Sequence, residues 1–341
     1  MNNNNNIKIR MISWNMGENK KTLKEWINEL NQWEIINNIK NKYDIIIVGL
    51  QENWNGQYGK FNKALHTILN EYVHLENKTR GPPDIINKPF AVQLNVYIKP
   101  KLLPQSFTYY QKKSICIKPT FFFFCRKATV GISIIINNDT QLILMTSHLP
   151  FNYRLDDFGY NERTDAIDKS IQNVLNPLLY TQKDNLMIKN RIILWSGDLN
   201  FRRIDINDSS NYELKDKMIQ TREHDQLTYL LKTNSLLNNF NETLVNFPPS
   251  CKVSPCSNDQ CSLCRLQNTG QIGSKLVNKD CYLTNTKKGK RIPSHCDRIL
   301  WKSMPPNVLQ STGLYTTWAN SISVRESDHN LIYEDFILSL F

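Results

Sequence analysis

Six short polar strings stand where apolar runs of this chain end, and they hold the side chains able to bind a metal ion or move a proton. Ser13-Trp14-Asn15 closes one run, Gly49-Leu50-Gln51-Glu52 a second and Ser147-His148-Leu149-Pro150 a third. Trp195-Ser196-Gly197-Asp198-Leu199-Asn200-Phe201-Arg202 closes a fourth, His295-Cys296-Asp297-Arg298 opens a fifth, and Ser327-Asp328-His329-Asn330 precedes the last. Any one of them alone reads as a turn former or a satisfied hydrogen-bonding group. Six of them, at strand ends on one edge of a sheet, can converge on one cleft.

The set suits phosphoryl transfer to water. Mg²⁺ takes a few hard oxygen ligands and keeps waters, and Asn15, Glu52 and Asp328 supply such oxygens without a thiolate or a histidine cage. Asp198 can orient or deprotonate the attacking water, and Asn200 can hydrogen-bond a phosphoryl oxygen. Asp297 is the carboxylate partner that keeps the His329 imidazole oriented and protonated, and His148 is a second donor to developing negative charge. No Cys-x5-Arg loop is present, so nothing supports a phosphocysteine route.

The elements that must position these groups read mainly as strands. Apolar or β-branched runs cover Ile9 to Trp14, Asp44 to Leu50, Phe90 to Ile98, Thr129 to Ile136, Gln141 to His148, Ile192 to Leu199, Asp297 to Trp301 and Leu331 to Leu338. Leu23, Trp26, Ile27, Leu30 and Trp33 recur at helical spacing on a segment closed near Tyr43, and further helices are expected around Glu162 to Leu178 and Thr221 to Leu231. Several strands follow one another without a helix between them, so stacked sheets flanked by helices fit better than an alternating parallel sheet.

With 341 residues, 40% of them hydrophobic, the chain can bury the core of one large domain. Asn2 to Asn6 reads as a low-complexity leader, so residues 1–6 are set apart and residues 7–341 form a single catalytic domain. The net charge of +11 fits an anionic partner: a phosphorylated substrate, nucleic acid or an anionic membrane surface. No apolar run reaches the roughly 20 residues that span a bilayer, and the N-terminus lacks a signal-peptide layout, which makes the cytoplasm the expected compartment.

The order and wording of the strings resemble the inositol polyphosphate 5-phosphatase family of the endonuclease/exonuclease/phosphatase superfamily. The two long signatures are Trp195 to Arg202 and Pro293-Ser294-His295-Cys296-Asp297-Arg298-Ile299-Leu300, with His224-Asp225-Gln226-Leu227 and Phe247-Pro248-Pro249-Ser250-Cys251-Lys252 between them in family order. The resemblance covers roughly Ile7 to Leu338. It implies an α/β (α+β) fold, a DNase I-like four-layer α/β/β/α sandwich of two packed mixed sheets. It also implies Mg²⁺-dependent removal of the 5-phosphate from phosphoinositides or soluble inositol polyphosphates. The matched site is Asn15, Glu52 and Asp328 for metal, and His148, Asp198, Asn200, Asp297 and His329 for catalysis. Lys127, Lys252, Lys290 and Arg291 would hold the substrate's other phosphates by charge-assisted hydrogen bonds.

Two departures from the family pattern stand out. Arg126-Lys127-Ala128 replaces the usual Asn-Lys-Gly, and Cys251 stands where a tyrosine precedes the lysine. The stretch near 251–285 is longer than the usual connection and carries Cys256, Cys261, Cys264 and Cys281, whose Cys261-x2-Cys264 spacing fits a structural Zn²⁺ clip; reduced cysteines on a loop are the plain alternative. Phe121 to Phe124, between Lys118 and Arg126, reads as a buried strand or as rings that enter the interface of an anionic membrane. Either way a monomer without a nucleic-acid partner is expected. The rival readings are a Mg²⁺-dependent nuclease or sphingomyelinase on the same fold and a non-catalytic phosphoinositide-binding module. The extended signatures and the basic positions weigh against the first, the intact metal and proton-transfer positions against the second.

Overall fold

The computed structural model describes residues 6–17, 21–33, 42–79, 90–103, 110–119, 125–151, 157–180, 187–202, 225–233, 235–247, 249–251, 253, 285–286, 289–290, 294–318 and 327–340. Strand β1 (Asn6–Asn15) is followed by helix α1 (Leu23–Gln32), β2 (Ile45–Trp54), α2 (Asn55–Ile68), β3 (Val73–Lys78) and β4 (Phe90–Ile98). Next come β5 (Tyr110–Pro119), β6 (Cys125–Ile136), β7 (Thr140–His148) and α3 (Asp157–Ser170), which runs through a π-helical turn at Ile171–Leu175. Then follow β8 (Asn190–Asp198), α4 (Gln226–Thr233) and a small hairpin of β9 (Asn285–Thr286) and β10 (Gly289–Lys290). The described chain closes with β11 (Asp297–Met304), β12 (Leu309–Trp318) and β13 (Leu331–Ser339).

Two mixed sheets result. The first has the order β12-β13-β1-β2-β4-β3 and the second β11-β8-β7-β6-β5. Only β1–β2 and β7–β8 pair in parallel within them, so each sheet is parallel at its centre and antiparallel toward its edges. Alternation puts Ile7, Ile9 and Met11 of β1 and Val130, Ile132 and Ile134 of β6 into one core between the sheets. The opposite faces bury separate clusters: Trp14, Ile46 and Val48 against Trp26 and Leu30 of α1 and Phe61 and Leu65 of α2, and Met145, Ile193 and Trp195 against Ile167 of α3 and Leu227 and Leu230 of α4. This is the expected four-layer sandwich, helices outside two packed sheets.

The parallel pairs matter for the site. Because β1 runs beside β2, and β7 beside β8, their C-terminal ends lie together, and Asn15 and Gln51 are partners in the first sheet as His148 and Asp198 are in the second. The sheets come very close there: a Cβ on Gly49 would lie 2.5 Å from Thr146 Oγ1 and 2.9 Å from Ser196 Oγ. Gln51 bridges the gap, its Nε2 donating to Thr146 Oγ1 at 3.0 Å.

The sequence reading missed α2, β3, β5 and β12. Strand β5 is a lysine-bearing edge whose described residues are largely exposed, so it carries little apolar alternation. It is tied to β6 by a Cys116–Cys125 disulfide that the sequence reading did not anticipate. Phe121 to Phe124 and Cys256, Cys261, Cys264 and Cys281 lie outside the described residues. Among the described residues no helix is long and apolar enough to cross a membrane.

Candidate active site

The ends of β1, β2, β7 and β8 carry Asn15, Glu52, His148 and Asp198, and the segment before β13 brings Asp328 and His329 to them. Asp198 is the hub. Its Oδ2 accepts from Asn15 Nδ2 at 3.0 Å and lies 3.2 Å from His148 Nε2 and 3.9 Å from His329 Nε2, while its Oδ1 accepts from Asn200 N at 3.2 Å. Burial raises this carboxyl, but the His329 charge, with the contact of His148 and the Lys127 charge, outweighs it and holds Asp198 far below the usual carboxylate range. Its place requires Gly197, whose φ is +148° and where a Cβ would stand 2.0 Å from Ser147 O.

Asp297 pairs with Asp198 across β11 and β8. Its Oδ2 accepts from Ser250 Oγ at 2.7 Å and faces His329 Nδ1 at 2.9 Å. Burial pushes the Asp297 carboxyl up to about 6, against the pull of His329. For His329, burial favours the neutral ring, yet the negative charge of Cys251, Asp297 and Asp198 outweighs it and raises the imidazole well above its usual range. The pair is therefore an imidazolium held by a carboxylate, with Nε2 turned toward Asp198 and, at 3.8 Å, Asp328 Oδ1. Ser327 fixes the segment: its Oγ donates to Asn15 O at 2.7 Å and accepts from His329 N at 3.1 Å.

His148 differs from His329. Burial and the Lys127 ammonium, which touches its Nε2, lower its pKa, so the ring is neutral beside Asp198 and Glu52. Glu52 sits at φ +52° on the bulge between Leu50 and Asn53, with Oε1 3.6 Å from His148 Nε2. Burial raises its carboxyl, but His148, Lys127 and His329 bring it below the usual range. Asn200, at φ +56°, donates from Nδ2 to Leu149 O at 3.0 Å and accepts from Arg202 Nη2 at 2.8 Å on Oδ1, which leaves one amide hydrogen for a substrate oxygen.

The donor set suits a hard divalent cation. Asn15, Glu52 and Asp328 offer oxygen alone, and the Glu52 and Asp328 side chains keep 27% and 22% exposure, against 2% and 0% for Asp198 and Asp297. Asp198, Asp297 and His329 also bring ligand atoms within 4.8 Å of one another and could hold a metal. Their mutual hydrogen bond and ion pairs already use those atoms, which favours the open oxygens as the ligands.

All eight metal and catalytic positions read from the sequence thus come to one cleft with Lys127. Lys252 and Arg291 lie outside the described residues, and Lys290 is described in its backbone alone, on β10. Several supporting residues went unread. Ser250 and Ser327 orient Asp297 and Asn15, and Gln226 Oε1 accepts from Arg163 Nη2 at 2.7 Å and from Arg202 N at 2.9 Å. Arg298 is locked by Asp225 Oδ1 at 2.7 Å and by Glu242. The signal available for these was only their presence inside the quoted strings.

A family model described as Endonuclease/Exonuclease/phosphatase family 2 matches residues 12–335 of the chain. Among curated proteins, a phosphatidylinositol 3,4,5-trisphosphate 5-phosphatase 2B of Danio rerio is 23% identical over 98% of the chain and 25% of its own length, and a phosphatidylinositol 3,4,5-trisphosphate 5-phosphatase 2 of Homo sapiens is 23% identical over 97% and 24%. The chain thus spans about a quarter of the length of these relatives. Among solved structures, the inositol polyphosphate 5-phosphatase domain of SpSynaptojanin, in complex with inositol (1,4)-bisphosphate and calcium ion, matches with a TM-score of 0.61 at 20% identity over 98% of this chain and 85% of that one. A Cimex nitrophorin in a ferrous NO complex matches nearly as well, with a TM-score of 0.60 at 18% identity over 98% and 99%. A fold shared with a nitrophorin cannot decide the chemistry; the residues in the cleft must.

Proposed function

The chain belongs to endonuclease/exonuclease/phosphatase family 2, and on that premise we propose that it is a Mg²⁺-dependent phosphatase that removes the 5-phosphate of phosphoinositides or soluble inositol polyphosphates. The observation that carries the reading is the contact of the Lys127 ammonium with His148, one residue away from Asp198. It sets a fixed cation beside proton-transfer groups, where the substrate is a polyanion. The names of the curated relatives point to the same substrate class.

A bound Mg²⁺ would be held by Asn15, Glu52 and Asp328 and would neutralise charge on the phosphoryl and leaving oxygens. The chain's own groups do the rest. Asp198, ionised and held by Asn15 Nδ2 and the Asn200 backbone amide, accepts a hydrogen bond from the attacking water and aims it. So low a pKa suits orientation better than storage of the water's proton. The charged His329, braced by Asp297, donates from Nε2 to a phosphoryl oxygen as negative charge grows on it. The spare amide hydrogen of Asn200 adds a donor. Lys127 meets a neighbouring phosphate. A lipid substrate would place the protein peripherally on the cytoplasmic face of a membrane.

The test is phosphate release from short- and long-chain phosphoinositides and soluble inositol phosphates, with Mg²⁺ or with EDTA. Mg²⁺-dependent loss of the 5-phosphate is expected. Hydrolysis of DNA or RNA with no release from any inositol phosphate would overturn the reading.

A further inference from the structure

The far edges of the two sheets meet around a second cavity. Strand β3 ends the first sheet and β5 the second, and Asn77 of β3 ties the sheets together, its Nδ2 donating to Lys113 O at 2.8 Å and to Gly131 O at 2.9 Å. The cavity between these strands measures about 450 Å³ and is lined by Lys78, Lys112 and Lys113 and by both halves of the Cys116–Cys125 disulfide. No carboxylate is among its lining residues. Glu76 pairs with Lys78 at 3.2 Å, and Lys112 packs over the Tyr110 ring at 4.9 Å, a contact that leaves it cationic. Lys112 and Lys113 thus carry the excess positive charge.

The disulfide is reachable from this cavity. Cys116 is exposed and Cys125 only 9% so, which makes the Cys116 sulfur the one an incoming group meets and Cys125 the half that leaves. The bridge has a sequence separation of 9 and joins strands that a ladder already pairs. A loop that short gains least from a cross-link, and an exposed disulfide is the kind that exchanges with thiols. What this one does hold is the start of β6. The β5–β6 register shifts on both sides of Lys118, whose partner is Lys127, and the Cys125 sulfur lies 3.0 Å from Lys127 O. A disulfide sulfur has no hydrogen to give that carbonyl; a thiol has one.

We propose that Cys116–Cys125 is a thiol-exchange site, that the lysine-lined cavity admits a small anionic thiol of the glutathione class, and that reduction resets the backbone at Lys127. The thiolate attacks the Cys116 sulfur; a new S–S bond forms as the Cys116–Cys125 bond breaks, and Cys125 leaves as a thiolate that takes up the proton the incoming thiol lost. A second thiolate attacks the outer sulfur of the mixed disulfide, and Cys116 leaves and is protonated in the same way. The bridge gains two electrons, which the two small thiols lose as they join in a disulfide. Lys112 and Lys113 attract both the thiolate and the carboxylates of the incoming molecule, an advantage that a neutral thiol lacks. The consequence at Lys127 rests on the phosphatase reading; the exchange itself does not.

Peptide mapping of the full, air-oxidised chain should first find Cys116 joined to Cys125. Loss of that link is then timed by mass spectrometry with glutathione, 2-mercaptoethanol and cysteamine, which are anionic, neutral and cationic, at equal thiolate concentrations. Glutathione should be faster than cysteamine by about tenfold, the lower end of what a charged cleft adds to encounter, and Lys112→Glu combined with Lys113→Glu should remove the advantage. The Cys125→Ser chain, which cannot re-form the bridge, should keep glutathione on the Cys116 peptide when given glutathione disulfide. Rates that ignore the charge of the thiol, or unpaired Cys116 and Cys125 in the air-oxidised chain, would overturn the proposal. Reduction should also raise KM for phosphate release; a KM that does not move would overturn the coupling to Lys127. If the chain releases no phosphate in either form, the exchange rates still decide the thiol site, and the failure falls on the phosphatase reading.

Discussion

The two walls of the cleft are built to opposite rules. On the second sheet, Asp198 and Asp297 are buried and their oxygens are largely taken up by protein donors, with Asp297 Oδ1 left over. On the first sheet and the segment beside it, Glu52 and Asp328 keep a quarter or so of their side chains in the open. A wall that satisfies its own carboxylates can fix a geometry and a protonation state but has little left to bind an ion. A wall that leaves its oxygens open can take the ion but relies on it for charge balance. The site needs both, and mutations on the two sides should fail differently.

The largest effect is expected on the closed wall. Asp198→Ala should lower phosphate release by about 10³-fold, as loss of a proton-transfer or water-orienting group does, with the fold intact by circular dichroism. More Mg²⁺ should not restore it. A drop smaller than tenfold would remove Asp198 from the role of water anchor.

On the open wall, Glu52→Gln should raise the Mg²⁺ concentration for half-maximal release by roughly tenfold or more, since a neutral amide is a poorer ligand for a hard cation. Here excess Mg²⁺ should recover most of the rate. A Glu52→Gln protein as insensitive to Mg²⁺ as Asp198→Ala would erase the distinction between the walls.

The protonation states of the closed wall give a pH signature. Asp297, raised from 3.8 to about 6, contributes stability that is present below its unfolded value and lost as pH rises through 6; the ionised form is the one that braces His329. His329 is raised above 6.5, so its contribution is complete below that value and disappears as pH climbs through its folded pKa. The proposed mechanism needs Asp297 ionised and His329 charged. The profile of kcat/KM should fall on the acid side near 6 and on the alkaline side well above 6.5, as the titration of one coupled pair. His329→Gln should lower the rate and flatten the alkaline limb; an unchanged limb would assign it to another group.

How much of this was legible in the sequence follows the same division. Strands whose two faces are both buried, such as β2 and β7, announced themselves as apolar runs, and the polar residues at strand boundaries include the eight positions that the structure brings together. Strand β5, an exposed edge with Lys112, Lys113 and Lys118, has no such pattern, and α2 begins Asn55-Gly56-Gln57-Tyr58-Gly59, which masks the helical spacing of Phe61, Ala64, Leu65 and Ile68. The supports Ser250, Gln226 and Arg202 were also hidden, because what they do depends on neighbours distant in sequence. The opposed protonation of His148 and His329 was equally out of reach: both follow a serine or an aspartate at a strand boundary, and only packing against Lys127 or Asp297 separates them.

The smallest effect tests what holds the two walls together. At Gly49 the first sheet touches the second, and an added methyl group would meet Thr146 Oγ1 at 2.5 Å and Thr146 Cβ at 2.9 Å, short rigid atoms that cannot swing aside. Thr146 also accepts the Gln51 amide, so displacing it loosens the bridge between sheets as well as the packing. Gly49→Ala should therefore destabilise the fold by about 1–3 kcal/mol, the usual cost of overpacking a filled core, read from urea unfolding midpoints at constant slope. Because Glu52 lies three residues further along β2, the variant should also need somewhat more Mg²⁺ than wild type, though less than Glu52→Gln does. An unchanged midpoint would mean that the sheets yield at this point and that the walls are positioned by their loops instead. A lower midpoint with an unaltered Mg²⁺ requirement would show that the bulge at Glu52 sets the open wall independently of the sheet contact beneath it.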